Sequence, residues 1–243
     1  MKTIFIYVYC GIYLFLTLFF RLKLAILRRT KSQQEVEDYI HKKVFTWSNK
    51  VMRVVGVKTN VIGMENLPKG ACLFVSNHQG NFDFFTLLAN IDKPMGFVAK
   101  KEIAKLNITA SWMRDMHCVF IDRDSIRDSL KAINEAVENL KNGYSMVIFP
   151  EGTRSKGPGI GEFKKGSMKL GIKADVPVVP VAIEGTYKAF EANKNKFKSA
   201  EVTLSILEPI NVDLLSKEEK ANLAEILQEK IHNELLRIQT ERK

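Results

Sequence analysis

The sequence predicts an α/β fold: a mostly parallel central sheet flanked by helices and preceded by an N-terminal membrane-associated helical segment. Three observations lead there. Short runs that are apolar on both faces recur along the chain, as in strands covered on both sides. Between them lie runs with apolar residues spaced by three and four, the alternation of a parallel sheet layered with helices. Finally, an uncharged apolar stretch opens the chain and a basic stretch follows at once.

The opening stretch, 4–20, holds no charged side chain, and Arg21, Lys23, Arg28, Arg29 and Lys31 follow with no acid among them. As a helix it is about 25 Å long, short of the roughly 30 Å hydrocarbon core. Continuing to Leu27 supplies the length but draws Arg21 and Lys23 into the span. Arg21-Leu22-Lys23 is not a small-residue cleavage site, so the segment is expected to stay on the mature chain. If it spans, the positive-inside bias puts the rest of the chain in the cytoplasm; if it lies in the interface, the same cations rest on anionic headgroups. A polar bridge is expected around 30–38. The chain is divided into an N-terminal anchoring region, 1–45, and an α/β domain, 46–243.

Strands are expected at 72–76, 96–99, 118–121, 145–149 and 176–183. Ile126, Leu130, Ile133, Val137 and Leu140 form a helical stripe, with Asp124 or Ser125 as its cap and Gly143 as its stop. Leu223, Ile226, Leu227, Ile231, Leu235 and Ile238 mark a C-terminal helix.

With 46% apolar residues in 243, the chain is neither disordered nor collagenous. Its 37 Lys+Arg against 27 Asp+Glu, a net charge of +10, point to an anionic partner: nucleic acid, a membrane surface or a phosphorylated substrate. Cys10, Cys72 and Cys118 form no C-x-x-C, which gives neither a disulfide framework nor a zinc site and fits a reducing compartment. No G-x-S-x-G, H-E-x-x-H, Walker A or G-x-G-x-x-G after a strand is present, which disfavours serine hydrolases, zinc proteases, nucleotide hydrolases and dinucleotide enzymes. No nucleic-acid-binding module is recognisable, so nucleic acid is not expected as a partner.

Candidate chemistry gathers just beyond the strand ends, where α/β folds keep their sites. In Asn77-His78-Gln79-Gly80-Asn81-Phe82-Asp83, a turn at Gly80 and Asn81 lets Asp83 fold back to one ring nitrogen of His78. The other nitrogen then faces the cleft as an acceptor, the arrangement of a carboxylate-oriented general base. The bland alternative is a loop histidine beside a helix-capping aspartate. No serine or cysteine nucleophile accompanies the pair, so the hydroxyl to be deprotonated belongs to a substrate. In Phe149-Pro150-Glu151-Gly152-Thr153-Arg154-Ser155, Gly152 permits close backbone approach, the turn amides suit an oxyanion or phosphate, and Arg154 offers a planar fork. Alone, this segment reads as well as a surface turn. Lys100, Lys101 and Arg123 each stand beyond an apolar strand, and Phe163-Lys164-Lys165-Gly166 adds a further basic cluster.

These segments, with Val119-Phe120-Ile121-Asp122-Arg123 and the run 176–183, resemble the four ordered blocks of the glycerolipid acyltransferase family with its H-x4-D motif. The resemblance covers roughly 62–183. It implies transfer of a fatty acyl group from an acyl carrier protein or coenzyme A thioester to the free hydroxyl of lysophosphatidic acid, giving phosphatidic acid. Neither metal nor cofactor is required. It further implies His78 as the base with Asp83 holding its ring, and Arg154, with Lys100 or Lys101 and Arg123, as binders of the acceptor phosphate. Gly152 and Thr153 become oxyanion donors, and Glu151 either orders the loop or binds the glycerol region. Residues 46–243 would be the catalytic domain, on the cytoplasmic face of the cell membrane. Another lysophospholipid or glycerol 3-phosphate as acceptor, and a non-catalytic protein binding anionic membranes, are the alternatives.

Overall fold

The computed structural model describes residues 2–241; Met1, Arg242 and Lys243 lie outside it. The N-terminal apolar run belongs to a helix, α1 (Lys2–Thr30), of 29 residues. At 1.5 Å per residue it is about 43 Å long. The expected polar bridge shrinks to Lys31 and Ser32, because Ser32 and Glu35 form a capping box that starts α2 (Gln33–Val55). The reciprocal cap satisfies the first-turn amides, so charged residues such as Glu37 and Asp38 read as linker yet sit in helix. Helix α2 runs unbroken through residue 45, where the sequence reading divides the chain.

Beyond it come β1 (Val57–Ile62), β2 (Leu73–Ser76), α3 (Asp83–Asn90), β3 (Met95–Lys100), α4 (Asn107–Asp115), β4 (Val119–Ile121), α5 (Ile126–Lys141) and β5 (Ser145–Ile148). The chain finishes with α6 (Lys169–Ala174), β6 (Val178–Glu184), β7 (Ala200–Ile206), α7 (Lys217–Ala221) and α8 (Leu223–Glu241). Every expected strand is present within two residues of its bounds. Ser125 caps α5 by accepting from the amide of Asp128.

The seven strands form one sheet in the order β1-β7-β6-β2-β5-β3-β4. Strands β6, β2, β5, β3 and β4 are mutually parallel; β7 runs antiparallel to β6 and carries β1 in parallel. All residues of β2, β5 and β6 are buried. Helices α1, α2 and α3 cover one face of the sheet, where Ile40, Val51 and Leu87 meet Phe74 and Val179. Helices α5, α6 and α8 cover the other, where Ala136, Leu170 and Leu227 meet Leu73 and Met146. The loops after β2, β3, β4, β5 and β6 therefore open at the same edge.

Helix α1 lies along α2 and is fastened at both ends. Lys2 Nζ donates to the carbonyl of Val55 at 3.0 Å. Arg21 and Arg28 both pair with Asp115 at the end of α4, at 2.8 and 2.5 Å. Ile6 and Leu24 are buried against the body, whereas Ile4, Phe15, Phe19 and Leu22 are each more than 60% exposed. One helix thus shows a docked stripe and a broad bare apolar face.

Candidate active site

Strand β2 ends in a backbone that cannot continue as helix until Asp83, and the intervening loop is held by side chains. Asn77 lies fully buried and exchanges two bonds with Ile183 of β6: its Nδ2 donates to the Ile183 carbonyl (2.9 Å) and its Oδ1 accepts from the Ile183 amide (2.8 Å). The amide of Asp83 then donates to the carbonyl of Gly80 at 3.3 Å, closing the turn that the sequence places at Gly80 and Asn81. As a result Asp83 Oδ2 lies 2.6 Å from His78 Nδ1.

The same oxygen accepts from the amides of Gln79 (2.7 Å) and Gly80 (2.9 Å). With two backbone amides already on this carboxylate oxygen, the contact suits an Nδ1–H tautomer, in which Nε2 of the neutral ring presents the lone pair. Among the described residues Nε2 has no hydrogen-bond partner. The imidazole stacks on Phe149 with centroids 4.2 Å apart and planes at 17°, which fixes its tilt.

The loop after β5 is stitched to this one. Glu151, 7% exposed, accepts from the amide of His78 at 2.7 Å with one oxygen and from Gly161 at 2.8 Å with the other. Burial pushes its carboxyl up from the ordinary range, and the two amides pull the other way. Both oxygens being occupied, Glu151 orders the two loops. The amides of Ser155 and Lys156 donate to the carbonyls of His78 and Gln79, at 2.8 and 3.0 Å. Gly152 has φ of +70°, a left-handed turn that favours glycine, and its amide donates to the carbonyl of Phe149 at 3.0 Å. The expected oxyanion role of this particular amide is therefore taken up by turn closure. Among the described residues, the next two amides, of Thr153 and Arg154, have no partner.

The cations separate into groups. Arg154 Nη1 donates to Asn81 Oδ1 and lies 3.4 Å from Glu191 Oε1, which also accepts from the Asn81 amide at 2.8 Å. Nε and Nη2 of Arg154 have no partner among the described residues. Arg123 donates to the carbonyl of Gly152, where Lys164 also approaches. Arg123, Lys164 and Gly152 line a cavity of about 200 Å³ together with the apolar Val98, Ile121 and Phe149. Lys100 pairs with Glu102 at 3.1 Å and Lys101 with Asp122 at 2.6 Å. Each lysine is thus tied to its own acid, while Arg154 is held by Asn81 and Glu191 and Arg123 by Gly152.

Sequence reasoning named the Lys164 cluster without assigning it a role, and it missed Glu191, Glu184 and Thr186. Glu184 ends β6 and Thr186 follows it, so every strand end, including the one treated as plain core, is where such residues are found. Thr186 donates its hydroxyl to Asp83 Oδ1, and Glu184 accepts from Gln79 Nε2 at 2.8 Å.

A base oriented by a buried carboxylate, next to a glycine turn and a guanidinium at the open edge of an α/β sheet, suits transfer to a substrate hydroxyl. The chain belongs to the acyltransferase family, whose model matches residues 58–184. It is similar to the "Probable 1-acyl-sn-glycerol-3-phosphate acyltransferase" of Mycoplasma pneumoniae, 35% identical over 65% of this chain and 61% of the relative. The 1-acyl-sn-glycerol-3-phosphate acyltransferase of Borreliella burgdorferi is 31% identical over 75% of this chain and 73% of its own. The match spans only about half to three fifths of the Mycoplasma pneumoniae and Brassica napus relatives (61% and 50%). The crystal structure of the LPA acyltransferase PlsC from Thermotoga maritima superposes with a TM-score of 0.86 at 28% identity, covering 98% of this chain and 95% of that one.

Proposed function

We propose that the protein transfers a fatty acyl group from an acyl thioester to the free hydroxyl of 1-acyl-sn-glycerol 3-phosphate, making phosphatidic acid. The observation that carries this is the His78–Asp83 pair with its bare Nε2 and no enzyme hydroxyl or thiol bonded to it. A base so placed deprotonates a substrate. The names of the relatives supply the substrate class.

Nε2 removes the acceptor's hydroxyl proton as that oxygen attacks the thioester carbonyl carbon. The carbonyl oxygen becomes an anion, which the free amides of Thr153 and Arg154 stabilise. When the anion collapses the C–S bond breaks, and the departing sulfur takes the proton back from the imidazolium. Asp83 offsets the positive charge on the ring between those steps. Arg154 holds the acceptor phosphate through Nε and Nη2, while Arg123, Lys164 and the lysines at the end of β3 make the surrounding edge cationic. Side chains and backbone supply every step, and the donor is the thioester of acyl carrier protein or coenzyme A.

Helix α1 sets where this happens. Fastened to α2 at its start and to α4 through Arg21 and Arg28, it lies in the membrane surface with Phe15, Phe19 and Leu22 among the acyl chains. Arg29 sits at headgroup level, worth about 1 kcal/mol on an anionic leaflet, while Arg28 and Lys31 beside it are paired with Asp115 and Glu35. The active edge then faces a lipid acceptor that never leaves the bilayer, on the cytoplasmic side of the cell membrane.

Two outcomes follow. Phe15→Asp with Phe19→Asp places charge on the bare face and lowers binding to phosphatidylglycerol vesicles by more than about tenfold, roughly 1.4 kcal/mol, without lowering Tm. Co-sedimentation reads this; unchanged binding removes α1 as the anchor. Arg154→Ala raises KM for 1-acyl-sn-glycerol 3-phosphate by about 10- to 100-fold, the loss of charge-assisted bonds worth about 1.5–3 kcal/mol. A monoacylglycerol, which lacks the phosphate, is used at an unchanged rate. Equal losses on both acceptors would remove Arg154 from the phosphate site.

A further inference from the structure

Asp83 is fully buried, and its two oxygens are unequally loaded. Oδ2 takes three donors: Nδ1 of His78 and the amides of Gln79 and Gly80. Oδ1 has one, the hydroxyl of Thr186, itself fully buried. That hydroxyl caps nothing locally: Thr186 opens a short turn of helix whose start receives no side-chain cap bond.

The residues around Thr186 share its orientation. Gly185 donates its amide to Gln79 Oε1 at 2.8 Å, and Glu184 accepts from Gln79 Nε2 at 2.8 Å. Gln239 of α8 reaches the same Glu184 oxygen at 3.2 Å, which ties this corner to the C-terminal helix. Three consecutive residues therefore grip the His78 loop from β6 with three different groups, and only the Thr186 hydroxyl touches the carboxylate.

A carboxylate held by one oxygen is free to turn about its Cβ–Cγ bond, and a buried oxygen without a donor draws the group toward whatever donor it can reach. Either motion takes Oδ2 off Nδ1. We infer that Thr186 is a positioning residue for the acyl transfer: its hydroxyl holds Oδ1 of Asp83, which keeps Oδ2 on His78 Nδ1 and aims Nε2 at the acceptor hydroxyl. The inference rests on the function proposed above.

The test compares Thr186→Ser, which keeps the hydroxyl, with Thr186→Ala, which differs from it by that oxygen alone; Thr186→Val conserves the shape. With thioester and acceptor varied in turn, the Ser variant is expected within about threefold of wild type. The Ala and Val variants lose about 10- to 100-fold in kcat, part of what a general base supplies, with both KM values within twofold. Should Val fail to fold, the Ser and Ala pair still isolates the hydroxyl. A kcat in Ala equal to that in Ser, or a loss that appears in KM instead, overturns the inference. Proton NMR gives a readout independent of turnover: the downfield Nδ1 proton of His78 is expected in wild type and Ser and is lost or broadened in Ala. If wild type moves no acyl group, the proposed function fails; if wild type is active and both the Ala rate and the Nδ1 signal match those of Ser, the positioning role fails.

Discussion

His78→Ala is expected to lower kcat for acyl transfer by about 10²- to 10⁴-fold, which is about 3–5 kcal/mol of transition-state stabilisation. The size follows from what the ring does. Nε2 is the unpartnered ring nitrogen of the loop after β2, and its ring is held by the Asp83 carboxylate 2.6 Å from Nδ1 and by the face of Phe149. Alanine removes the base and leaves its surroundings in place. Asp83 keeps its bonds from Gln79, Gly80 and Thr186, and the His78 backbone keeps Glu151 and Ser155. The lost stacking is worth about 0.5–1.5 kcal/mol, so the variant folds with a slightly lower Tm. Steady-state kinetics with circular dichroism separates the two effects. The KM for the acceptor is expected to hold, because Arg154 and its partners are untouched.

Asp83→Asn is expected to follow, with a loss of about 10²-fold or more in kcat, inside the same range that a general base contributes. The amide can present its oxygen to His78, Gln79 and Gly80, and its NH2 then faces Thr186, whose hydroxyl can turn to accept. The geometry survives and the negative charge does not. The imidazolium formed during attack then lacks its counter-charge, and the loss falls on kcat and not on KM. Asp83→Ala adds a structural penalty, since the two backbone amides and the Thr186 hydroxyl all lose a buried acceptor at about 1–3 kcal/mol each. The Asn variant should therefore melt near wild type and the Ala variant well below it. Equal rates for Asn and wild type would mean that the pair serves structure alone.

Much of the sheet is legible in the sequence because β2, β5 and β6 are buried on both faces and read as unbroken apolar runs. Strands β1 and β7 are not legible, for a physical reason. In β7, Thr203 and Ser205 alternate with Val202, Leu204 and Ile206, so the strand resembles an exposed one, yet both polar residues are buried and Ser205 donates to Glu234 at 2.6 Å. Local pattern does not show a hydrogen bond to α8. The reversal of β7 against β6 is set by the loop between them, which carries Thr186 and Glu191. The length of α1 is also hidden, since charges at Arg21 and Lys23 end the apolar run but not the helix; Asp115, far along the chain, is the partner that settles Arg21 in place.

The site divides along the same line. His78 and Asp83 are five residues apart and meet through a turn whose residues can be read directly. The residues that hold them, Thr186 and Glu151, arrive over 103 and 73 residues, and the partner of Arg154, Glu191, over 37. Nothing in the spacing of the motifs shows such contacts. Separation of the cations into an Arg154 group at Asn81 and Glu191 and an Arg123–Lys164 group at Gly152 likewise depends on partners distant in the chain.

The most direct measurement gives the purified protein a labelled acyl thioester and 1-acyl-sn-glycerol 3-phosphate on vesicles, with His78→Ala alongside. Phosphatidic acid is expected to accumulate in step with free thiol, with carrier-protein and coenzyme A thioesters as separate arms, and the variant is expected to fall to the background rate. Vesicle binding by a folded wild-type protein without thioester consumption, or full turnover by His78→Ala, would contradict a base-catalysed acyl transfer at this site.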